Sequence, residues 1–149
     1  MRLLALGLSL AAVMAASAPP AGAQTVYPPG TFRIDGLPVS CGPTVFVLNP
    51  SLPDVGMAQP GIIHMNPNVL WSMPTSMKLF WASHECGHQI VGANETAADC
   101  WAIRLGRNQG WFPPSEFNHL IWMFRHNTGD ITHPPGPVRV NNMIACYNS

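Results

Sequence analysis

Prolines decide where this 149-residue chain can be regular, and there are sixteen of them. Proline lacks the N–H and fixes φ, so it is barred from helix interiors and central strands. The long region free of it lies between Pro74 and Pro113. Met77 to Val91 holds no breaker except Gly87, and Thr75 or Ser76 can cap it. The spacing predicts a helix with Phe80, Trp81, His84, His88 and Val91 on one broad face. Gly92-Ala93 breaks it, and Asn94 is a good N-cap for a second helix, Glu95 to about Asn108. Gly110 and Pro113-Pro114 stop that helix. Ser115 caps a third to about His126, and Pro137, at a first-turn position, opens a last one to about Cys146.

Strand signals are few. Val45 to Leu48 is β-branched and aromatic, bounded by Gly42-Pro43 and Asn49-Pro50. Gly61 to Met65 is a second, stopped by Asn66-Pro67. The rest of Gln24 to Pro60, including Ser51 to Pro60, reads as loop or turn. A few short strands followed by four helices predict an α+β fold, a small sheet with a helical body. The five tryptophans read most simply as core.

Residues 1–23 read as a secretory signal peptide, leaving residues 24–149 as one domain. Arg2 is the positive n-region, Leu3 to Ala16 the apolar h-region, and Ala21-Gly22-Ala23 the cleavage site. The alternative is an uncleaved anchor, but the apolar run is shorter than the roughly 20 residues a span needs. No second long apolar run follows, so the expected product is exported, secreted or periplasmic, with no stable membrane insertion. Lys plus Arg and Asp plus Glu are seven each, which gives no electrostatic argument for nucleic acid or an anionic membrane.

An even number of cysteines in a small exported domain favours two disulfides. Cys86 stands seven residues before Ala93 and Cys100 seven after it, at matching heights of a helix hairpin. That favours Cys86–Cys100, with Cys41–Cys146 joining the ends. The objection is azimuth, because Cys86 lies about 200° round the helix from His84. A structural zinc site using Cys86 and Cys100 is the other use of these thiols.

His84-Glu85-Cys86-Gly87-His88 matches H-E-x-x-H. On a helix, positions i and i+4 lie one above the other, so both imidazoles can reach one ion. Glu85, beside the first ligand, can take a proton from water that the metal has acidified. A catalytic zinc wants three protein ligands. Gly92-Ala93-Asn94 lets the chain reverse, so Glu95, on the first turn of the next helix, can return toward the ion. Asp99 shares its face, and either carboxylate can be the third ligand. A chance match on an ordinary helix face is the bland reading. His64 reads as a rim or packing residue, and His119 and His126 as ordinary surface histidines.

His84-Glu85-x-x-His88 followed by Glu95-x-x-Ala98-Asp99 resembles the gluzincin metallopeptidases. The likeness is greatest to the HtpX/CAAX-prenyl-endopeptidase-like group and its small minigluzincin relatives. The resemblance implies a zincin-like active-site helix followed by a ligand-bearing helix, with His84, His88 and Glu95 holding one Zn²⁺ per chain. It implies Asp99 as the partner that steadies a ligand histidine. Thr132-His133-Pro134 with Arg139 is similar to a downstream stretch of that group, which implies His133 at the oxyanion and Arg139 in support. It also implies the strand Gly61 to Met65 as the rim along which substrate backbone pairs. The spacing departs from the larger relatives, since six residues separate His88 from Glu95. The expected function is a zinc-dependent endopeptidase acting on peptides or proteins outside the cytoplasm. The alternatives are a non-enzymatic zinc-binding protein on a peptidase scaffold, and a metal-free structural or interaction domain.

Overall fold

The computed structural model describes residues 22–149, so the expected signal peptide lies outside the described residues but for its last two positions. Among the described residues six short strands precede five helices, and the fold is α+β. The strands are β1 (Thr25–Tyr27), β2 (Arg33–Ile34), β3 (Leu37–Pro38), β4 (Val45–Leu48), β5 (Gly56–Gln59) and β6 (Ile62–Met65). The helices are α1 (Pro67–Leu70), α2 (Thr75–Val91), α3 (Glu95–Gln109), α4 (Pro114–Phe124) and α5 (Gly136–Asn148).

The β-branched run of β4 anchors a four-stranded sheet of order β1-β4-β6-β5. β1 and β4 are antiparallel, with Val26 opposite Val47. β4 and β6 are parallel, Val45 opposite Ile62, because the chain first crosses to the outer position of β5 and then turns back into the gap. β2 and β3 form a separate hairpin turned by Asp35 and Gly36, both at positive φ (49° and 83°). That pairing of residues suits a two-residue hairpin turn. The Asp35 carboxylate then reaches the start of α2, accepting from Thr75 Oγ1 at 2.6 Å and Lys78 Nζ at 2.9 Å.

The proposed caps need correction at two helices. Asn94 caps α3 as its sequence indicates, with its side chain accepting from Ala97 N at 3.0 Å. At α2, Thr75 is already helical and Pro74 is the N-cap, so the Thr75 hydroxyl is free to bind Asp35. Pro113 holds the same place before α4, where Ser115 was expected to cap, whereas Pro137 does stand in the first turn of α5, behind Pro135 as its N-cap.

α2 divides the interior. Leu79, Ala82 and Cys86 face the sheet and pack with Phe46, Ile63 and Met65. Met77 and Phe80 face the helices and pack with Ile103, Leu120 and Met143. Each large side chain buried this way contributes about 1.5–3 kcal/mol relative to exposure. α2 and α3 meet closely at Gly87, where an added Cβ would stand 3.0 Å from Ala98 Cα.

This division explains why the expected disulfide pairing is wrong. Cys41 bonds Cys86, with Cα atoms 5.6 Å apart, and Cys100 bonds Cys146, at 5.4 Å. Gly87 is the α2 residue against α3, so its neighbour Cys86 turns toward the sheet and meets Cys41 there. Cys100 turns toward α5 and the helical core. Azimuth outweighs matching height. No described cysteine is free to bind metal. The tryptophans also depart from expectation, since Trp71 and Trp122 are 41% and 59% exposed. The other three are only partly buried against the two cores. Indole is large and amphipathic, so it is seldom wholly enclosed. Among the described residues no helix is long and apolar enough to cross a membrane.

Candidate metal centre

Three side chains converge where α2 ends and α3 begins. His84 Nε2 and His88 Nε2 are 3.0 Å apart. Glu95 Oε2 lies 3.2 Å from the first, and Oε1 lies 3.3 Å from the second. Four ligands about 2.0–2.1 Å from zinc at tetrahedral angles stand about 3.3–3.4 Å from one another, so these separations fit one ion. Glu95 Oε2 is buried with no hydrogen-bond partner, as an oxygen kept for a cation would be. The group His84, His88 and Glu95 can therefore hold a metal ion.

Of the other two ring nitrogens, His88 Nδ1 is hydrogen-bonded and His84 Nδ1 sits beside a carboxylate without hydrogen-bond geometry. His88 Nδ1 is 2.7 Å from Gly92 O, so it donates there and leaves Nε2 a lone pair. Gly92, at φ 68°, makes the reversal that presents this carbonyl. His84 Nδ1 lies 3.0 Å from Asp99 Oδ1, at an oblique angle. Asp99 is wholly buried, and Arg139 grips both its oxygens, Nε to Oδ2 at 2.7 Å and Nη2 to Oδ1 at 2.6 Å. The two carboxylates left open by the sequence are thereby separated: Glu95 stands at the Nε2 atoms and Asp99 behind the ring. Arg139 Nη2 is also 3.8 Å from Glu95 Oε2, and its guanidinium lies 4.7 Å over the Phe124 ring.

The charges are strongly coupled. Burial pulls the His84 pKa down, but the adjoining carboxylates of Asp99 and Glu95, with Glu85 nearby, outweigh it and lift the group to about 9. Burial raises the Glu95 carboxyl, yet His84 and His88 hold it well below the usual range. Burial raises Glu85, and the two histidines only partly oppose this. An ion must displace the His84 proton. His88 is raised as well, so zinc uptake should strengthen as pH rises toward about 9, by up to about tenfold per unit for each proton displaced. Titration with a zinc-chelating dye from pH 6 to 10 would show this, and a flat profile would contradict it.

His133 comes from the loop before α5, with Nε2 3.8 Å from Glu95 Oε2. Asp130, which sequence reasoning overlooked, shapes that loop. Its Oδ1 accepts from Thr132 N at 2.7 Å and His133 N at 2.8 Å, and its Oδ2 lies 3.0 Å from His133 Nδ1. A carboxylate there requires Nδ1 to carry a proton, so Nε2 is left toward the centre. The pattern Gly129-Asp130-x-Thr132 is an Asx-turn signal, and this was the available clue.

Glu85, His88, Glu95 and His133 line one cleft of about 780 Å³, whose opposite wall is β5. The expected rim strand is a correction: β6 lies between β4 and β5, with both edges paired, and the open edge at the cleft is β5. His64 is half-buried on β6 and takes no part, and His119 and His126 are exposed. A hollow of about 420 Å³ on the outer side of α3, walled by Val91, Trp101 and Leu105, is almost wholly apolar and holds none of the clustered groups. No protein-family model, curated protein or solved structure matches this chain.

Proposed function

We propose that this chain is an exported zinc-dependent metallopeptidase of the gluzincin type. The convergence of two imidazoles and one carboxylate at 3.0–3.3 Å, with His88 Nδ1 bonded to Gly92 O and His84 Nδ1 beside Asp99, carries the reading. A nitrogen-rich set with one carboxylate suits zinc. Zinc bound there would supply a Lewis acid that polarises a carbonyl and makes water acidic near neutral pH. Glu85, buried in the cleft wall, takes the proton of the attacking water. In its imidazolium form His133, held by Asp130 at Nδ1, donates from Nε2 toward the oxygen that becomes negative. The open edge of β5 offers backbone groups to an extended peptide. Two disulfides suit an oxidising compartment outside the cytoplasm.

The purified protein should carry about one zinc per chain. His84→Ala or His88→Ala should remove it, by metal analysis. Glu95→Gln should cost more zinc affinity than Asp99→Asn, whose loss should stay within the roughly 10–100-fold typical of a residue that orients a ligand. The reverse order would move the metal-binding carboxylate to Asp99. Full zinc in the histidine variants would place the ion elsewhere, a wild-type protein without metal would favour a metal-free domain, and zinc without hydrolysis would favour a non-enzymatic zinc protein.

A further inference from the structure

We propose that Gln89 is the positioning residue that fixes the open edge of β5 over the Glu85 carboxylate, with Gly56 as the gap that lets the two meet. The inference rests on the peptidase reading for what β5 does, but not for how β5 is held.

Glu85 and Gln89 are four residues apart on α2 and so lie on one stripe of it. β5 runs along that stripe. Gln89 uses both halves of its amide on the β5–β6 turn: Nε2 donates to Gln59 O at 2.9 Å, and Oε1 accepts from Gly61 N at 2.9 Å. At the other end of the strand, a Cβ on Gly56 would come within 2.7 Å of Glu85 Cγ and Oε1. Only glycine lets the strand rest on that carboxylate without moving it.

β5 needs such a seat. Its sequence, Gly-Met-Ala-Gln, has little strand preference, and as an edge strand it pairs only with β6. The helix that carries the metal-binding histidines therefore sets the strand's height at both ends. A peptide pairing with β5 meets Glu85 at a distance fixed by protein contacts rather than by its own side chains. Gln89 lies in the cleft wall with both halves of its amide spent on the turn and is not among the metal-binding group, so its loss should weaken docking and spare the chemistry. Gly56 acts differently. Because Glu85 is the flexible partner, Gly56→Ala should push its carboxylate aside and lower kcat with zinc retained.

The test is Gln89→Met in the zinc-loaded protein, similar in length but without the amide. Two lost hydrogen bonds should raise Gly61 amide hydrogen exchange by about tenfold. With fluorescein-labelled casein as substrate, KM should rise by a similar factor, about tenfold, and kcat should change by less than about threefold. Unchanged Gly61 exchange would overturn the clasp. Raised exchange with unchanged KM would overturn β5 as the docking edge. A fall confined to kcat would do the same, since it would place Gln89 in the chemistry. If the wild-type protein leaves casein intact, that counts against the peptidase reading. Gly61 exchange needs no turnover and then supports or overturns the clasp by itself.

Discussion

Glu85→Gln should keep its zinc and hydrolyse peptide roughly 10²–10⁴ times more slowly than the wild-type chain, the usual span for loss of a general base. The amide has nearly the shape of the carboxyl, and Gly56 leaves it the same room. What it lacks is a site for the water's proton. Glu85 is 6% exposed, and burial pushes its carboxyl up, which makes it a stronger base than a solvated carboxylate. The histidines hold the metal without it, so binding and chemistry separate. Zinc content and hydrolysis measured on the same sample would decide: a normal rate would remove Glu85 from its role.

Arg139→Ala should destabilise the fold by roughly 3–5 kcal/mol, the cost of leaving one member of a buried ion pair alone. Asp99 has no exposed surface, and Arg139 supplies both of its strong hydrogen bonds. Arg139 also joins α5 to α3 and covers Phe124, so packing is lost with the charge. Urea unfolding of wild type and variant would measure the difference. Replacing Asp99 and Arg139 together by apolar residues of similar volume should recover much of the stability, because neither member of the pair is then left buried alone. That double variant should still bind zinc less tightly, since His84 loses the group that orients it. A single-variant loss below about 1 kcal/mol would show that water reaches Asp99 freely.

The helices were legible because their signals are local. Breakers at Pro74, Gly92 and Gly110 and the Asn94 cap act within a few residues, and α2 and α3 begin and end close to where those residues indicate. The i and i+4 spacing of His84 and His88 is likewise a property of one helix. Strands were another matter. β4 and β6 carry β-branched residues and could be read, whereas β1, β2, β3 and β5 are two to four residues long and exist through pairing. The Asp35-Gly36 hairpin turn was a short-range signal that was passed over.

By itself, then, the sequence determined the helical half of an α+β chain, the two histidines on one helix face, and a turn that lets Glu95 return to them. Tertiary structure decided what depends on the azimuth of packed elements. Gly87 against Ala98 sets the rotation of α2, which sends Cys86 to Cys41 and leaves Cys100 to Cys146. The same rotation places Asp99 behind His84 and Glu95 in front of it. Residue spacing gives height along a helix, but the direction in which a side chain meets a neighbouring element is fixed only when the elements pack.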